Sequence, residues 1–330
     1  MLYAIPELYC PFPSLLHPDW ERIEAHTNAW MQSFGLVQGE DIEHYKKQRF
    51  GTFIARTFPK GDVDPLCAWS DFNTLLFIVD DQFDQEVIRD RFTCARLVSG
   101  FLQIMDGGKG GTGGEHRVVL EALRDLWKRL ELHSTRAWRQ KMVGCVTKMF
   151  EALMWQFDLI AKKERPSMEA YIQNRQYLGA AHLSTDSLEL TGKVSVSEAV
   201  LDEPMVVRVT ELSRNAVCFA NDLFSFGKEL EESEAAGGFN LVSIIKDTFQ
   251  VETEEAIEKA AKIHDNTVVE FVDLSQKIEA TTGDELSHYV QALKFQMRAN
   301  IIWSTEETTR YPHIYAKGKP SSSPVQEASR

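Results

Sequence analysis

The sequence predicts an all-α protein built as a single domain. Three observations carry that expectation. Apolar residues recur at helical spacing over most of the chain, few stretches alternate with the period of two that a strand requires, and no clear linker divides the 330 residues. Hydrophobic residues make up 43% of the chain, which is ample for a full core.

The first helix is expected over 17–36. Pro18 and Asp19 suit a helix start, and Trp20, Ile23, Trp30 and Met31 form one apolar stripe with Thr27 as its single polar interruption. Helical periodicity continues over about 66–83, 86–105, 116–134, 137–162, 168–190, 204–230, 253–280 and 284–310. Gly107 to Gly114 form a flexible break. It lacks both the GxxxxGK[ST] order and a preceding strand, so it does not read as a phosphate-cradling loop. Residues 316–330, AKGKPSSSPVQEASR, are polar and rich in Ser and Pro, and read as a disordered tail after a folded domain over 1–315.

Charge narrows the choice of partners. The net charge is −13 and the pI near 5.2, with no Lys- or Arg-rich tract, so neither nucleic acid nor an anionic membrane is an expected partner. No uncharged apolar run approaches the roughly 18 residues that span a bilayer. The N-terminal MLYAIPELYC lacks the pattern of a signal peptide, and the five cysteines are scattered without a CxxC pair. A cytoplasmic protein with reduced thiols is expected, as a monomer or homodimer.

Residues 75–86, LLFIVDDQFDQE, set three aspartates at the end of an apolar run. On a helix Asp80, Asp81 and Asp84 fall within about one turn. Two unit charges about 4 Å apart repel by roughly 4 kcal/mol at an effective dielectric near 20, so such a cluster needs protonation, basic partners or metal. Oxygen-only ligation favours Mg²⁺ or Mn²⁺ over Zn²⁺. Alone, the cluster fits a metal site and a solvated acidic helix end equally well.

A second cluster lies in NDLFSFGKE, 221–229. Asn221, Ser225 and Glu229 sit at i, i+4 and i+8 and share one helical face, two neutral oxygens and one carboxylate that suit a cation shared with a phosphate. Asp222 points about 100° away round the helix and reads as structural.

Together these motifs resemble the class I terpene synthases of bacterial type, the metal-dependent cyclases of linear isoprenoid diphosphates. Asp80, Asp81 and Asp84 match that family's aspartate-rich motif. Asn221, Ser225 and Glu229 match its NDxxSxxxE motif, with Lys228 in the basic position before the glutamate. Arg175, in YIQNRQYLG, lies about 46 residues before Asn221, where the family places a diphosphate-sensing arginine, and Arg310 and Tyr311 match its C-terminal Arg-Tyr pair.

The resemblance implies an antiparallel helical bundle around a central apolar cavity, with the two motifs facing each other across its mouth. It implies three Mg²⁺ ions, or Mn²⁺, held by Asp80, Asp81, Asp84, Asn221, Ser225 and Glu229. Arg175, Lys228, Arg310 and Tyr311 would bind the diphosphate oxygens, and Phe77 and Trp303 match cavity aromatics. Asp81 and Asp84 have an alternative role as partners of Arg175 or Arg310. Gly179 reads either as a bend whose backbone carbonyl faces the substrate or as a close helix packing contact. Leu178 departs from the polar residue common between sensor and bend.

The expected reaction is ionisation of a linear isoprenoid diphosphate and cyclisation of the carbocation, with the C15 farnesyl diphosphate as the family's commonest substrate. A C20 substrate, giving a diterpene, is the main rival, and a C10 substrate a further one. A chain-elongating prenyltransferase would carry a second aspartate-rich motif in place of NDLFSFGKE. A non-catalytic helical isoprenoid-binding protein would be expected to have lost the metal motifs, and both are intact.

Overall fold

The computed structural model describes residues 2–84, 91–108, 114, 116–232, 238–281 and 284–317. It is all-α apart from two three-residue strands. The helices are α1 (Trp20–Ser33), α2 (Asp41–Lys47), α3 (Phe50–Thr57), α4 (Val63–Asp84), α5 (Arg91–Met105), α6 (Arg117–His133), α7 (Arg136–Lys162) and α8 (Met168–Leu178). They continue as α9 (Ala181–Asp186), α10 (Leu188–Thr191), α11 (Glu198–Leu201), α12 (Pro204–Glu232), α13 (Leu241–Phe249), α14 (Thr253–Thr281) and α15 (Asp284–Ile302).

Local chemistry sets several boundaries. Thr135 and Ser167 cap α7 and α8, accepting hydrogen bonds from the Trp138 and Ala170 amides at 3.1 and 3.2 Å. The expected helix over 168–190 is broken at Gly179–Ala180, with Ala180 held in the left-handed region at φ 54°. That conformation is costly for a residue with a Cβ, and packing maintains it. His182 places its ring nitrogens 3.1 Å from the Gln176 carbonyl and 2.8 Å from the Cys145 carbonyl. From α12, Arg214 reaches Thr185, Gln176 and Asp186.

The last long helix ends at Ile302, short of the expected 310, and continues as one π-helical turn over Trp303–Glu307. Four helices, α2, α3, α11 and α13, fall outside the stretches where periodicity was expected. They are 7, 8, 4 and 9 residues long, too short for a period of 3.6 to stand out. The strands are a second departure. β1 (Tyr3–Ile5) and β2 (Ile314–Ala316) pair in parallel, and the Lys317 amide donates to the Ile5 carbonyl at 2.9 Å. Ordered structure therefore runs past the 315 boundary expected for the domain. Residues 318–330 of the expected tail and 109–113 of the glycine-rich segment lie outside the described residues.

The core is continuous through the bundle. Trp69, Trp127 and Trp138 meet edge-on or stacked between α4, α6 and α7, with ring centroids 6.2 and 6.3 Å apart. On the other side of the bundle α3, α4, α7, α8, α9, α12 and α15 wall a cavity whose lining is mainly apolar. No helix among the described residues is long and apolar enough to cross a membrane.

Candidate active site

The cavity has a volume of about 230 Å³. Around it stand Phe77 and Asp80 of α4, Arg175 of α8, Gly179 at the break, Asn221 and Glu229 of α12, and Trp303 of the π-turn. These seven residues, singled out from sequence and spread over more than 220 positions, converge on one space. Asp81, Lys228 and Arg310 line an adjoining groove instead. The two hollows meet where Arg310 lies 3.6 Å from Asp80 and 4.9 Å above the Phe77 ring.

Helix α12 supplies the polar row because its i, i+4, i+8 spacing puts Asn221, Ser225 and Glu229 on one face. The Ser225 hydroxyl donates to Glu229 Oε1 at 2.6 Å, and Asn240 Nδ2 donates to Glu229 Oε2 at 3.0 Å. Asn221 accepts from Arg175 Nη2 at 3.0 Å and donates to the Tyr311 hydroxyl at 2.9 Å. Across the cavity, the Asp80 carboxylate is 62% exposed. An oxygen-only set of two carboxylates, an amide and a hydroxyl fits a hard divalent cation, so the residues present suit a metal shared with substrate. Among the described residues no three His, Cys, Asp or Glu side chains form a ready-made cluster. That accords with a row holding a single acid. The Asp84 side chain lies outside the described residues.

Asp81 has a different setting. It is buried and accepts from Arg310 Nη2 and Nη1 at 2.7 and 3.0 Å and from the Tyr45 hydroxyl at 2.7 Å, with Lys228 Nζ 3.2 Å away. Burial alone would push its pKa up, but Arg310 and Lys228 outweigh burial and hold it down at about 2. Of the two roles the sequence left open, this geometry takes the partner of Arg310. Gln48 completes the setting, since its side-chain oxygen accepts from Arg310 at 2.9 Å and its carbonyl accepts from the Trp303 indole at 2.8 Å.

Arg175 is the mirror case. Its guanidinium meets Asp222 through Nε at 2.7 Å and Nη2 at 2.6 Å. Burial would lower its pKa, yet the Asp222 carboxylate keeps it firmly charged. Asp222 is fully buried and also accepts from the Tyr171 hydroxyl at 2.6 Å and the Leu241 amide at 3.1 Å, a structural role as its helical angle implied. Gly179 lies against this guanidinium, and a Cβ there would fall far inside van der Waals contact with Arg175 Nη1. Both readings of Gly179 have support in the geometry, for it is the end of α8 at the cavity wall and a place of close approach.

Four contributors escaped the sequence reading: Tyr45, Gln48, Asp222 as the anchor of Arg175, and Asn240. Only Asn240 carried a local signal, as an Asn directly before the apolar run LVSII, where a helix cap belongs. It does cap α13, accepting from the Val242 amide at 2.9 Å, while its amide group also holds Glu229.

Comparison with known proteins follows the same lines. The model of a family described as terpene synthase family 2, C-terminal metal binding, matches residues 71–270. The chain is 28% identical over 310 residues to a (+)-T-muurolol synthase of Roseiflexus castenholzii described as farnesyl diphosphate cyclizing, covering 92% of this chain and 93% of that one. It is 26% identical over 299 residues to a (+)-eremophilene synthase of Sorangium cellulosum, covering 90% and 89%. Among solved structures it superposes on the ancestrally reconstructed SVS_A2 protein with a TM-score of 0.83 at 22% identity, over 96% of both chains. With α-eudesmol synthase the TM-score is 0.77 at 20% identity, over 90% of this chain and 98% of that one. At those identities the structural likeness bears on fold.

Proposed function

The chain belongs to terpene synthase family 2 and is a class I terpene cyclase of bacterial type, and on that premise we propose that it ionises farnesyl diphosphate and cyclises the C15 cation to a sesquiterpene. The observation that carries this reading is the convergence of Asp80, Asn221, Glu229 and Arg175 on one largely apolar cavity, with Ser225 bonded to Glu229 behind it. The choice of C15 is supported by relatives described as farnesyl diphosphate cyclizing.

In this proposal Asp80 on one side and Asn221, Ser225 and Glu229 on the other hold Mg²⁺, three ions in all once substrate is bound, with Mn²⁺ as a substitute. Bound there, the metal supplies Lewis-acid charge to the leaving diphosphate. The protein's own part begins with orientation. Arg175, fixed by Asp222, presents a guanidinium suited to bidentate contact with diphosphate oxygens. Arg310 and Lys228 are held on Asp81 and turn to the diphosphate when its greater charge competes with that carboxylate. The Tyr311 hydroxyl, already bonded to Asn221, adds a neutral donor. Asp81 acts as counter-ion to these cations and Asp84 as a further acid at the metal side.

After ionisation the wall takes over. Phe77 and Trp303, with ring centroids 5.7 Å apart, offer faces to the cation, each worth roughly 0.5–2 kcal/mol. The backbone at Gly179, turned at the end of α8, lines the cavity beside Arg175. In this proposal the described residues between 2 and 317 act as one catalytic domain.

The test incubates purified protein with Mg²⁺ and, separately, C10, C15 and C20 diphosphates, with diphosphate release and extracted terpenes both measured. A cyclic C15 product supports the proposal, and a C20 product alone replaces the substrate. Asp80→Ala and Asn221→Ala should each abolish release; full activity in either would defeat the site assignment.

A further inference from the structure

The cavity is not uniformly apolar, and three of its polar side chains are distinct from those proposed to face diphosphate. Asn73 of α4, Ser184 of α9 and Asn300 of α15 all line it. The Asn73 side-chain oxygen is buried and has no hydrogen-bond partner among the described residues. Asn300 donates to the Val217 carbonyl at 3.1 Å. The Ser184 carbonyl accepts from Gln296 at 3.2 Å, one turn before Asn300 on α15, so Ser184 and Asn300 belong to one patch. A buried acceptor without a partner is uncommon in folded proteins, and an ordered water commonly satisfies it where the site is polar and roomy enough.

Depth gives this layer its meaning. Asn73 precedes Asp80 by two turns of α4, about 10 Å along the helix at 1.5 Å per residue. The Val217 carbonyl that holds Asn300 lies one turn before Asn221, about 6 Å along α12. The Phe77 ring comes from the turn of α4 between Asn73 and Asp80. The polar layer therefore sits below the mouth, away from where the C–O bond would break.

We propose that Asn73, Ser184 and Asn300 hold a water molecule that captures the final carbocation, so that the main product is a cyclic terpene alcohol. The inference rests on the cyclase reading above. The water oxygen gives a lone pair to the cationic carbon and forms the C–O bond. The oxonium then loses a proton, relayed through further water, to the diphosphate released in the same turnover, leaving a neutral alcohol and protonated diphosphate. Nothing is oxidised or reduced, and water is the single co-reactant. Its place in the cavity decides the outcome. Water beside the departing diphosphate would trap the first allylic cation as a linear alcohol, whereas water held deeper meets the charge after ring closure has carried it inward.

The experiment runs the full chain with Mg²⁺ and each isoprenoid diphosphate in ¹⁸O-labelled water, following product mass and diphosphate release in parallel. The expected result is a cyclic alcohol carrying the label. Asn73→Leu should lower the ratio of alcohol to hydrocarbon by about tenfold, the scale of one lost hydrogen bond, and Asn73→Ser, which keeps an acceptor, should lose less. Diphosphate release with only hydrocarbon products from the unaltered protein would overturn this inference and leave the cyclase reading standing. A labelled linear alcohol would overturn the depth argument. Unchanged product ratios in Asn73→Leu would remove Asn73 from the role, and no diphosphate release from any substrate would end the parent reading and this one with it. Should Asn73→Leu fail to fold, the label in the unaltered protein still decides.

Discussion

Asparagine in place of Asp81 removes one charge and changes almost no volume, which makes Asp81→Asn a clean probe of the groove beside the cavity. In the native protein this carboxylate faces two buried cations, Arg310 at 2.7 Å and Lys228 at 3.2 Å. Its pKa is held at about 2 against an ordinary 3.8, a difference worth roughly 2 kcal/mol of native-state stability at neutral pH. Removing the carboxylate that Arg310 and Lys228 face moves the loss towards the roughly 3–5 kcal/mol typical of breaking a buried pair. For a chain of 330 residues that is a fall of about 4–7 °C in melting temperature. The sign of the pH dependence follows from the lowered pKa. The stabilisation is fully present above about pH 4 and disappears as pH falls towards 2, so the two proteins should converge in acid. Thermal melts read by circular dichroism between pH 7 and pH 2 measure this directly. Diphosphate with Mg²⁺ should stabilise Asp81→Asn more than the native protein, because the two cations no longer share their charge with Asp81. A melt at pH 7 within about 1 °C of native would refute the counter-ion argument, since even about 1 kcal/mol should shift it by more than that.

The remaining expectations concern the two positioning devices. Gly179→Ala puts a methyl group onto the Arg175 guanidinium, so diphosphate release should fall by about 100-fold while the fold survives; circular dichroism and a release assay distinguish this from unfolding. Asn240→Ser keeps a cap for α13 but removes the amide donors to Glu229 and the Asp222 carbonyl. It should cost about 1–3 kcal/mol and raise the Mg²⁺ concentration needed for half-maximal release several-fold. Asn240→Ala should melt lower again by about 1 kcal/mol, the worth of the lost cap. An unchanged Mg²⁺ requirement in both would show that Glu229 does not depend on Asn240.

The parts of this molecule legible in the sequence are those set by local spacing. Asn221, Ser225 and Glu229 share a face because a helix repeats every 3.6 residues, and Gly179 stood out because glycine weakens a helix, although the helix was expected to run on to 190. What could not be read depends on partners distant in the chain. The pairing of Asp81 with Arg310 was open only as one alternative among several, since nothing within reach of residue 81 selects it, and nothing near residue 175 points to Asp222. Those pairings exist only once α4, α8, α12 and the C-terminal segment are packed. Tyr45 and Gln48 were hidden for a similar reason. They sit in and just after α2, a seven-residue helix with no buried residue, which gives no periodic signal.

The parallel pairing of β1 with β2 joins Tyr3 to Ile314, nearly the full length of the described chain apart. Contacts of such separation carry a large loop-closure cost and form late in folding. During synthesis most of the cavity wall, α3 to α12, leaves the ribosome before α15, Trp303, Arg310, Tyr311 and β2. A nascent chain would thus hold a partial hydrophobic chamber, open on the α15 side and without the Arg310 cation and the Tyr311 hydroxyl. Competence for ionisation would wait for that segment, and arrive as β2 pairs with β1.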